Sequence, residues 1–440
     1  MSTIKREFAK YAALNILGQL AYACYTVADT FLVAARVGAD GLAALNLAFP
    51  VFCFVSGTGL MVGVGGGTRY AIAKGRGEDD QANRIFTNAV CLALGCSALY
   101  VLLGLLCSVP LSRLLGADDS LLELTNTYLR TLLLFAPAFL ANHLLQSFFR
   151  NDARPSLAMA ALITASVCNI ALAYVFIFRL GLGIFGSILA AGLAPVIGVL
   201  VMIPALVLKK NRFHLIRALP DVRELRAILA TGFSPFLTEA TSGVVMFVFN
   251  SIILRLAGNV GVAAFSVVSV ISLAVTAIYT GLSQGEQPVL SRSFGAGERA
   301  EVKSALRYAM VTMLALSAVI YGVLYLGAEP IVTAFNSEGD AALQAYAVDG
   351  VRRYFLACPF LGFNIVLATC FISTERERAA RTISLLRGVI VLLPMAFILS
   401  ACFGMTGVWL AYPATEVLTA LAGVLLFRLL KSKERDILNG

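Results

Sequence analysis

Twelve apolar runs, each long enough to cross ~30 Å of hydrocarbon as a helix, leave this chain few folds to choose from. They fall at about 11–35, 42–70, 85–110, 123–149, 155–178, 183–208, 228–256, 261–291, 304–327, 352–373, 380–402 and 405–430. Only 13% of the residues are charged, against about 25% in an ordinary soluble domain. A soluble fold of this length could not coat its exterior, so a water-soluble enzyme is excluded, as are disordered and collagen-like chains. The expected class is an all-α membrane protein. The N-terminal MSTIKREFAK leads into an apolar segment too long for a signal-peptide core. No small-residue cleavage site follows it, so it reads as the first span.

Charge placement sets the topology. With the N-terminus inside, 26 of the 34 Lys and Arg residues fall on the cytoplasmic side, among them Arg150, Arg387, Lys431, Lys433 and Arg435. Seven fall outside or near outer ends, and Arg69 is undecided. The positive-inside rule then puts both termini in the cytoplasm of a cell with this chain in its inner membrane. The net charge of +9 belongs to this asymmetry, and no nucleic-acid partner is expected. The nine cysteines all lie in apolar runs without a CxxC pair, and two histidines cannot build a usual zinc or haem site. No cofactor is expected.

An internal repeat organises the spans. VGADGLAAL (37–45), GTGLMVGVG (57–65) and AKGRGEDDQA (73–82) return as AGNVGVAAF (257–265), YTGLSQGEQ (279–287) and SFGAGERAE (293–301). Gly38 pairs with Gly258, Gly41 with Gly261, Gly75 with Gly295 and Gly77 with Gly297, about 220 residues apart. Each half holds six spans and starts inside. The reading is two pseudo-symmetric six-helix bundles, parallel repeats related by an axis along the membrane normal, around a central cavity. The bundles are 1–208 and 228–440. The basic link 209–227 between them also suits an amphipathic helix at the inner leaflet.

Ionisable groups inside spans are the costly exceptions, at about 2.5–3.5 kcal/mol each at a helix centre. Four carboxylates qualify: Asp29, Glu239, Glu286 and Glu416. Asn15, Gln19, Tyr22, Thr26 and Asp29 follow at spacings of 4, 3, 4 and 3, on one face of span one. Either this stripe packs against helices with Asp29 paired to a group such as Arg36, or Asp29 binds a proton or cation in a cavity. Glu239 shares a face of span seven with Ser242, Met246 and Asn250, and reads as a structural or a cavity carboxylate. On span eight, Ser269, Ser272, Thr276, Tyr279, Ser283 and Glu286 form another stripe, with Gln284 as a further amide. Glu286 lies near the cytoplasmic end, where it either snorkels or faces the cavity. Glu416 has no companion stripe and reads as packing.

Asn142 and Gln146 in span four, Asn169 in span five and Asn364 in span ten offer hydrogen bonds from a cavity wall or between helices. His143 reads as a packing histidine. GVGGG (63–67) favours close helix packing. GLGIFG (181–186) matches a dinucleotide fingerprint but sits in an outer loop, and no GxxxxGK[ST] motif for an ATP-driven pump occurs. Nine prolines within spans suit helices that bend between states.

Over nearly its full length the chain resembles the multidrug and toxic compound extrusion (MATE) family, in particular its bacterial multidrug-efflux branch. The resemblance rests on YTVADTFLVAARVGADGLAALNLAFP (25–50), the glycine-rich end of span two, AKGRG (73–77) and FFRNDARPSLAM (148–159). NIALAYVFIF (169–178) with GLGIFG, and GLSQGEQPVLSRSFGAG (281–297), complete it. It implies twelve helices in two bundles and export of organic cations in exchange for H⁺ or Na⁺. The family's acidic residue of the D-T motif in span one falls on Asp29, and the acid that some members carry in span seven falls on Glu239. Many relatives have aspartate in span five where Ala173 stands, and some have an acid in span ten where this chain has Asn364.

The expected function is therefore a secondary transporter, not an enzyme, moving lipophilic or cationic small molecules across the bilayer as a monomer. Asp29 and Glu239 are the coupling residues, with Na⁺ at Asp29 as the one metal binding considered. Two rivals remain at this stage. A lipid-linked flippase of the same superfamily would need a cationic cavity, and an intramembrane enzyme would need a catalytic pair that His143 and the stripe serines supply poorly.

Overall fold

The computed structural model describes residues 3–217, 219–336 and 339–439; the side chains of Thr3, Ala39 and 431–439 are outside that description, including Lys431, Lys433 and Arg435 of the charge tally. Among the described residues it is helical throughout, without strands. Nine helices are long and apolar enough to cross a membrane, and the pair Leu122–Leu134 and Ala136–Asn151, bent by 46°, makes a tenth. Two of the nine are double. Val222–Gly295 breaks at Gly258 (φ 60°, ψ −153°) and Leu392–Asn439 at Gly404 (φ 58°, ψ −135°), left-handed backbone that a residue with a Cβ disfavours. Divided there, the helices give the twelve spans of the sequence pattern.

Span one is Thr3–Arg36, span two Ala39–Arg76, span three Asp79–Leu106, and span four the bent pair. Span five runs through Pro155–Tyr174 into a π-helical turn, Val175–Arg179, and span six is Gly183–Val207. Spans seven and eight meet at Gly258. Span nine is Arg299–Leu326, and span ten combines Ala341–Tyr354 with Cys358–Ser373. Span eleven runs from Glu377 through a second π-helical turn, Leu386–Ile390, to the Gly404 break, and span twelve follows.

The repeat is structural as well as sequential. Gly38 (φ 80°) and Gly258 (φ 60°) open spans two and eight in the same conformation, and Gly77 (φ 78°) and Gly297 (φ 74°) close them. Gly183 (φ 55°) and Gly404 (φ 58°) repeat before spans six and twelve. Ala153 (φ 61°) and Glu375 (φ 56°) repeat in the tight turns after spans four and ten. Asp118 and Asp340 each accept backbone N–H bonds from residues two and three further on.

A large buried cluster fills each half; the second takes in Phe8 and Ala12 of span one, while Val33 of the same helix packs with Ala173, Ile177 and Ala190 of the first. Residues 209–217 and 219–221 do not form a helix at the membrane surface. They run along span three, donating the His214, Ile216 and Asp221 N–H groups to Asn83, Thr87 and Asn88. Phe213 is buried among Tyr70, Phe86, Phe148 and Phe149.

On the Lys/Arg-rich face the bundles meet reciprocally. A Cβ on Gly75 would lie 2.2 Å from the Arg292 carbonyl oxygen, and one on Gly295 would lie 2.1 Å from that of Ile72. Only glycine permits this crossing of spans two and eight. Most side-chain hydrogen bonds between the bundles, among the described residues, lie between this face and the level of Gln19 and Gln284. The basic face is closed by them, while further out the Cys53 thiol meets the Gly243 backbone. Gly295→Ala is therefore expected to push the closed ends apart. Spin labels at R76C and E375C in a cysteine-free background should show a longer mean separation; an unchanged one would mean the closure does not depend on this crossing.

Candidate functional site in the membrane-spanning helices

Span one carries its polar stripe as the spacing predicts, with different partners along its length. Near the basic face, Asn15 donates to the Tyr11 carbonyl (2.8 Å), and Gln19 donates to Gln284 Oε1 of span eight (3.1 Å). Further out, Tyr22 and Tyr25 pack edge to face at 4.9 Å, and Thr26 returns its hydroxyl to the Tyr22 carbonyl (3.0 Å).

Asp29 is buried and, among the described residues, has no arginine partner. Ser187 of span six holds it, the hydroxyl lying 3.1 Å from both carboxyl oxygens. One turn on, Val33 and Ala190 join Ala173 and Ile177 in a small apolar cluster, so Ala173 stands in the wall beside Asp29. Span five runs alongside span one with Leu162 against Gly18. That register brings Asn169 level with residue 25 and Ala173 level with residue 29. Asn169 is fully buried, and neither amide atom has a hydrogen-bond partner. A buried carboxylate with one donor beside an unsatisfied amide suits a proton, a small cation or a water.

Across the interface, half-buried Glu239 of span seven meets span two, where a Cβ on Gly57 would touch its own Cβ at 3.4 Å. Tyr22 and Tyr25 of span one lie within electrostatic reach of it. Asn250, Ser272 and Thr276 are half-buried further along spans seven and eight.

Several expected wall residues lie elsewhere. The stripe of span eight turns into the second bundle. Tyr279, fully buried, bonds Ser317 of span nine (2.7 Å), and Thr369 of span ten donates to Ser283 (3.2 Å). Gly281, Gln284, Gly285 and Gln287 face the first bundle instead. The snorkelling alternative for Glu286 is overturned: its exposure is 0%. Asn142 accepts from Gln146 and is wedged against Gly198 inside the first bundle. His143 packs on Gly59 and Gly63, with Ser56 at 3.4 Å.

Asn364, Glu416 and Arg387 form a buried ionic cluster. Arg387 Nε reaches both Glu416 oxygens (3.0 and 3.1 Å), while Asn364 donates to Glu416 Oε2 (2.7 Å) and to its carbonyl (2.9 Å). Glu416 is thus not a packing residue without companions, and Arg387 is not a cytoplasmic charge. The signal was available, since both charges fall inside apolar runs and an intramembrane arginine requires an acid. Arg387→Met would strand Glu416 and should cost about 3–5 kcal/mol, whereas R387M/E416L should recover most of it. Denaturant unfolding in detergent checks this; a stable single variant would contradict it.

Toward the basic face Gln284 bridges Gln19 and Arg150 (2.6 Å), Gln287 bridges Thr68 and Asn151, and Arg292 pairs with Glu7 (2.8 Å). Arg69–Glu224 and Arg76–Glu375 flank a polar cleft of about 350 Å³. Among the described residues no three His, Cys, Asp or Glu side chains gather as metal ligands.

Comparison with known proteins agrees with this architecture. The family model MatE matches the chain twice, over residues 15–175 and 236–398, once in each half. The chain is similar to the multidrug export protein MepA of Staphylococcus saprophyticus, 24% identical over 98% of this chain and 95% of that one. It is equally similar, over the same shares, to MepA of Staphylococcus aureus. Among solved structures it resembles a multidrug resistance MATE family transporter of the MOP superfamily in its outward-facing conformation, with a TM-score of 0.92 and 22% identity over 98% and 97% of the two chains. A MOP superfamily transporter from Pyrococcus furiosus, described as having a binding pocket of reverse polarity, matches with a TM-score of 0.90 and 22% identity over 98% and 96%. With its repeated helices, reciprocal glycine crossing and both halves matched by the family model, the chain belongs to the MATE family.

Proposed function

We propose that this chain exports lipophilic organic cations, drugs among them, in antiport with H⁺ or Na⁺ by alternating access between its two bundles. The relatives named as multidrug export proteins support the substrate class. The observation that carries the coupling is Asp29, buried in the first bundle with a single hydroxyl donor and, among the described residues, no counter-charge. Such a carboxylate is neutralised most readily by an arriving proton or small cation. Asn169, with both amide atoms unpartnered, stands ready to orient that ion or its water.

Substrate contact falls to the space between the bundles, where Glu239 lies within electrostatic reach of Tyr22 and Tyr25. The carboxylate attracts a cation, and the aromatic faces add cation–π attraction without demanding one shape. An ion entering from outside competes with the drug for negative charge, so its arrival favours release outward. One ion exchanged for one monovalent cation moves no net charge and is driven by the ion's concentration gradient; each further ion entering per cycle draws about 2.3 kcal/mol from a membrane potential of about 100 mV. The cycle places the protein in the cytoplasmic membrane with both termini inside, works in a monomer and needs no cofactor or catalytic step.

Asp29→Asn is expected to abolish ion-driven export of a fluorescent cation from cells while leaving expression and membrane insertion intact. Full export by that variant removes Asp29 from the mechanism. Glu239→Gln should weaken cation binding or export; unchanged affinity and rate would make Glu239 a packing residue. Lipid-headgroup translocation without drug transport would favour a flippase instead.

A further inference from the structure

Glu286 is a carboxyl for which the exchange described above has no use, and its surroundings are unlike those of Asp29, Glu239 or Glu416. Its exposure is 0%, and neither oxygen has a hydrogen-bond partner. It sits on the face of span eight that turns into the second bundle. Val289, Leu290 and Cys370 lie in the apolar cluster beside it, together with Ala305 of span nine. The second bundle gives Glu416 a guanidinium and an amide. Glu286 receives neither. An ionised carboxylate there would be an unpaired charge in a low-dielectric interior, so the group is a neutral acid in this conformation.

We propose that Glu286 is a second proton-holding site, loaded in this conformation and emptied when the basic face opens. Two features argue against mere packing. A Leu or Met would fill the space without burying an unsatisfied O–H. Hydroxyls also lead to it along its own helix face: Tyr279 with Ser317, two turns away, then Ser283 with Thr369, one turn away. Among the described residues no hydrogen bond joins these pairs to each other or to the carboxyl, so they mark a polar helix face leading to Glu286 and not a proton wire. On release, the carboxyl O–H bond breaks, the proton leaves to water and the carboxylate stays behind.

The opening that would admit water is built into the same stretch of helix. Gly285 packs on the backbone of Tyr11 and Ala12, and Gln284 and Gln287 make the closing contacts to the first bundle. When those separate, span eight loses the support of span one on either side of Glu286. The titratable and charged groups on the elements packed here are Lys5, Arg6, Glu7, Lys10 and Tyr11 at the start of span one, Arg292 of span eight, Arg299, Glu301, Lys303, Arg307 and Tyr308 of span nine, and Cys370 and Arg376 at and just past the end of span ten. Glu7 is committed to Arg292. None is within hydrogen-bonding distance of the Glu286 oxygens.

The transport consequence rests on the ion-coupled reading, whereas the protonation does not. Difference infrared spectroscopy of the purified protein at neutral pH, on wild type, E286Q and D29N, reads the carbonyl stretch of a protonated carboxylic acid. The expected result is a band present in wild type and in D29N but missing from E286Q. In proteoliposomes, E286Q should lose about tenfold in pH-gradient-driven export while its affinity for the same fluorescent cation is unchanged. A wild-type spectrum that E286Q does not alter would overturn the proposal, since the carboxyl would then be ionised. Full coupled export by E286L would overturn it too, by reducing Glu286 to packing. If D29N stays coupled while the Glu286 band is present, Asp29 loses its role and the Glu286 site stands.

Discussion

The cost of an unneutralised carboxylate in hydrocarbon governs the interior of this protein. Three buried acids meet that cost in three ways. Glu416 is held by Arg387 and Asn364 and is a fixed part of the second bundle. Asp29 has one serine hydroxyl and an apolar wall, an arrangement that leaves part of its charge to be answered by something mobile. Glu286 has no hydrogen-bond partner among the described residues, so an ionised form would go uncompensated there. The contrast lies in the donors each acid is given, since all three are almost withdrawn from solvent.

Movement depends on a second constraint, the thickness of the contact between the bundles. At Gly75 and Gly295 the backbones cross with no room for a Cβ, and around that crossing lie amide and ion-pair contacts on the basic face. These contacts are polar and wet at their rim, where ion pairs are worth little individually. They can therefore hold a closed state without making it irreversible. Spans one and eight, which carry Asp29 and Glu286, also take part in the closure, so a change in charge and a change in packing act on the same elements.

Much of the fold was legible because hydrocarbon thickness imposes one length on every span and the repeat supplies a second copy of each boundary. Gly38 and Gly258 are visible as a sequence pair and share a backbone conformation. Side-chain direction was less legible. The spacing of Tyr279, Ser283 and Glu286 fixes one helix face, but it does not say whether that face meets the other bundle or its own core. Arg387 was counted with nearby loop arginines because charge arithmetic is blind to a partner twenty-nine residues away in another span. The non-helical course of 209–217 and 219–221 escaped for a similar reason. Its backbone donors are met by Asn83, Thr87 and Asn88 of span three, a pairing that basic composition does not reveal.

The central claim is that substrate and coupling ion compete for buried negative charge. Its most direct test is ion release on substrate binding, followed in weakly buffered detergent solution with a pH indicator and repeated as Na⁺ competition. Binding of a lipophilic cation to the wild-type protein should release a proton or be competed by Na⁺, and the Asp29→Asn variant should lose that response. Tight cation binding with no proton released and no sensitivity to Na⁺ would contradict the account.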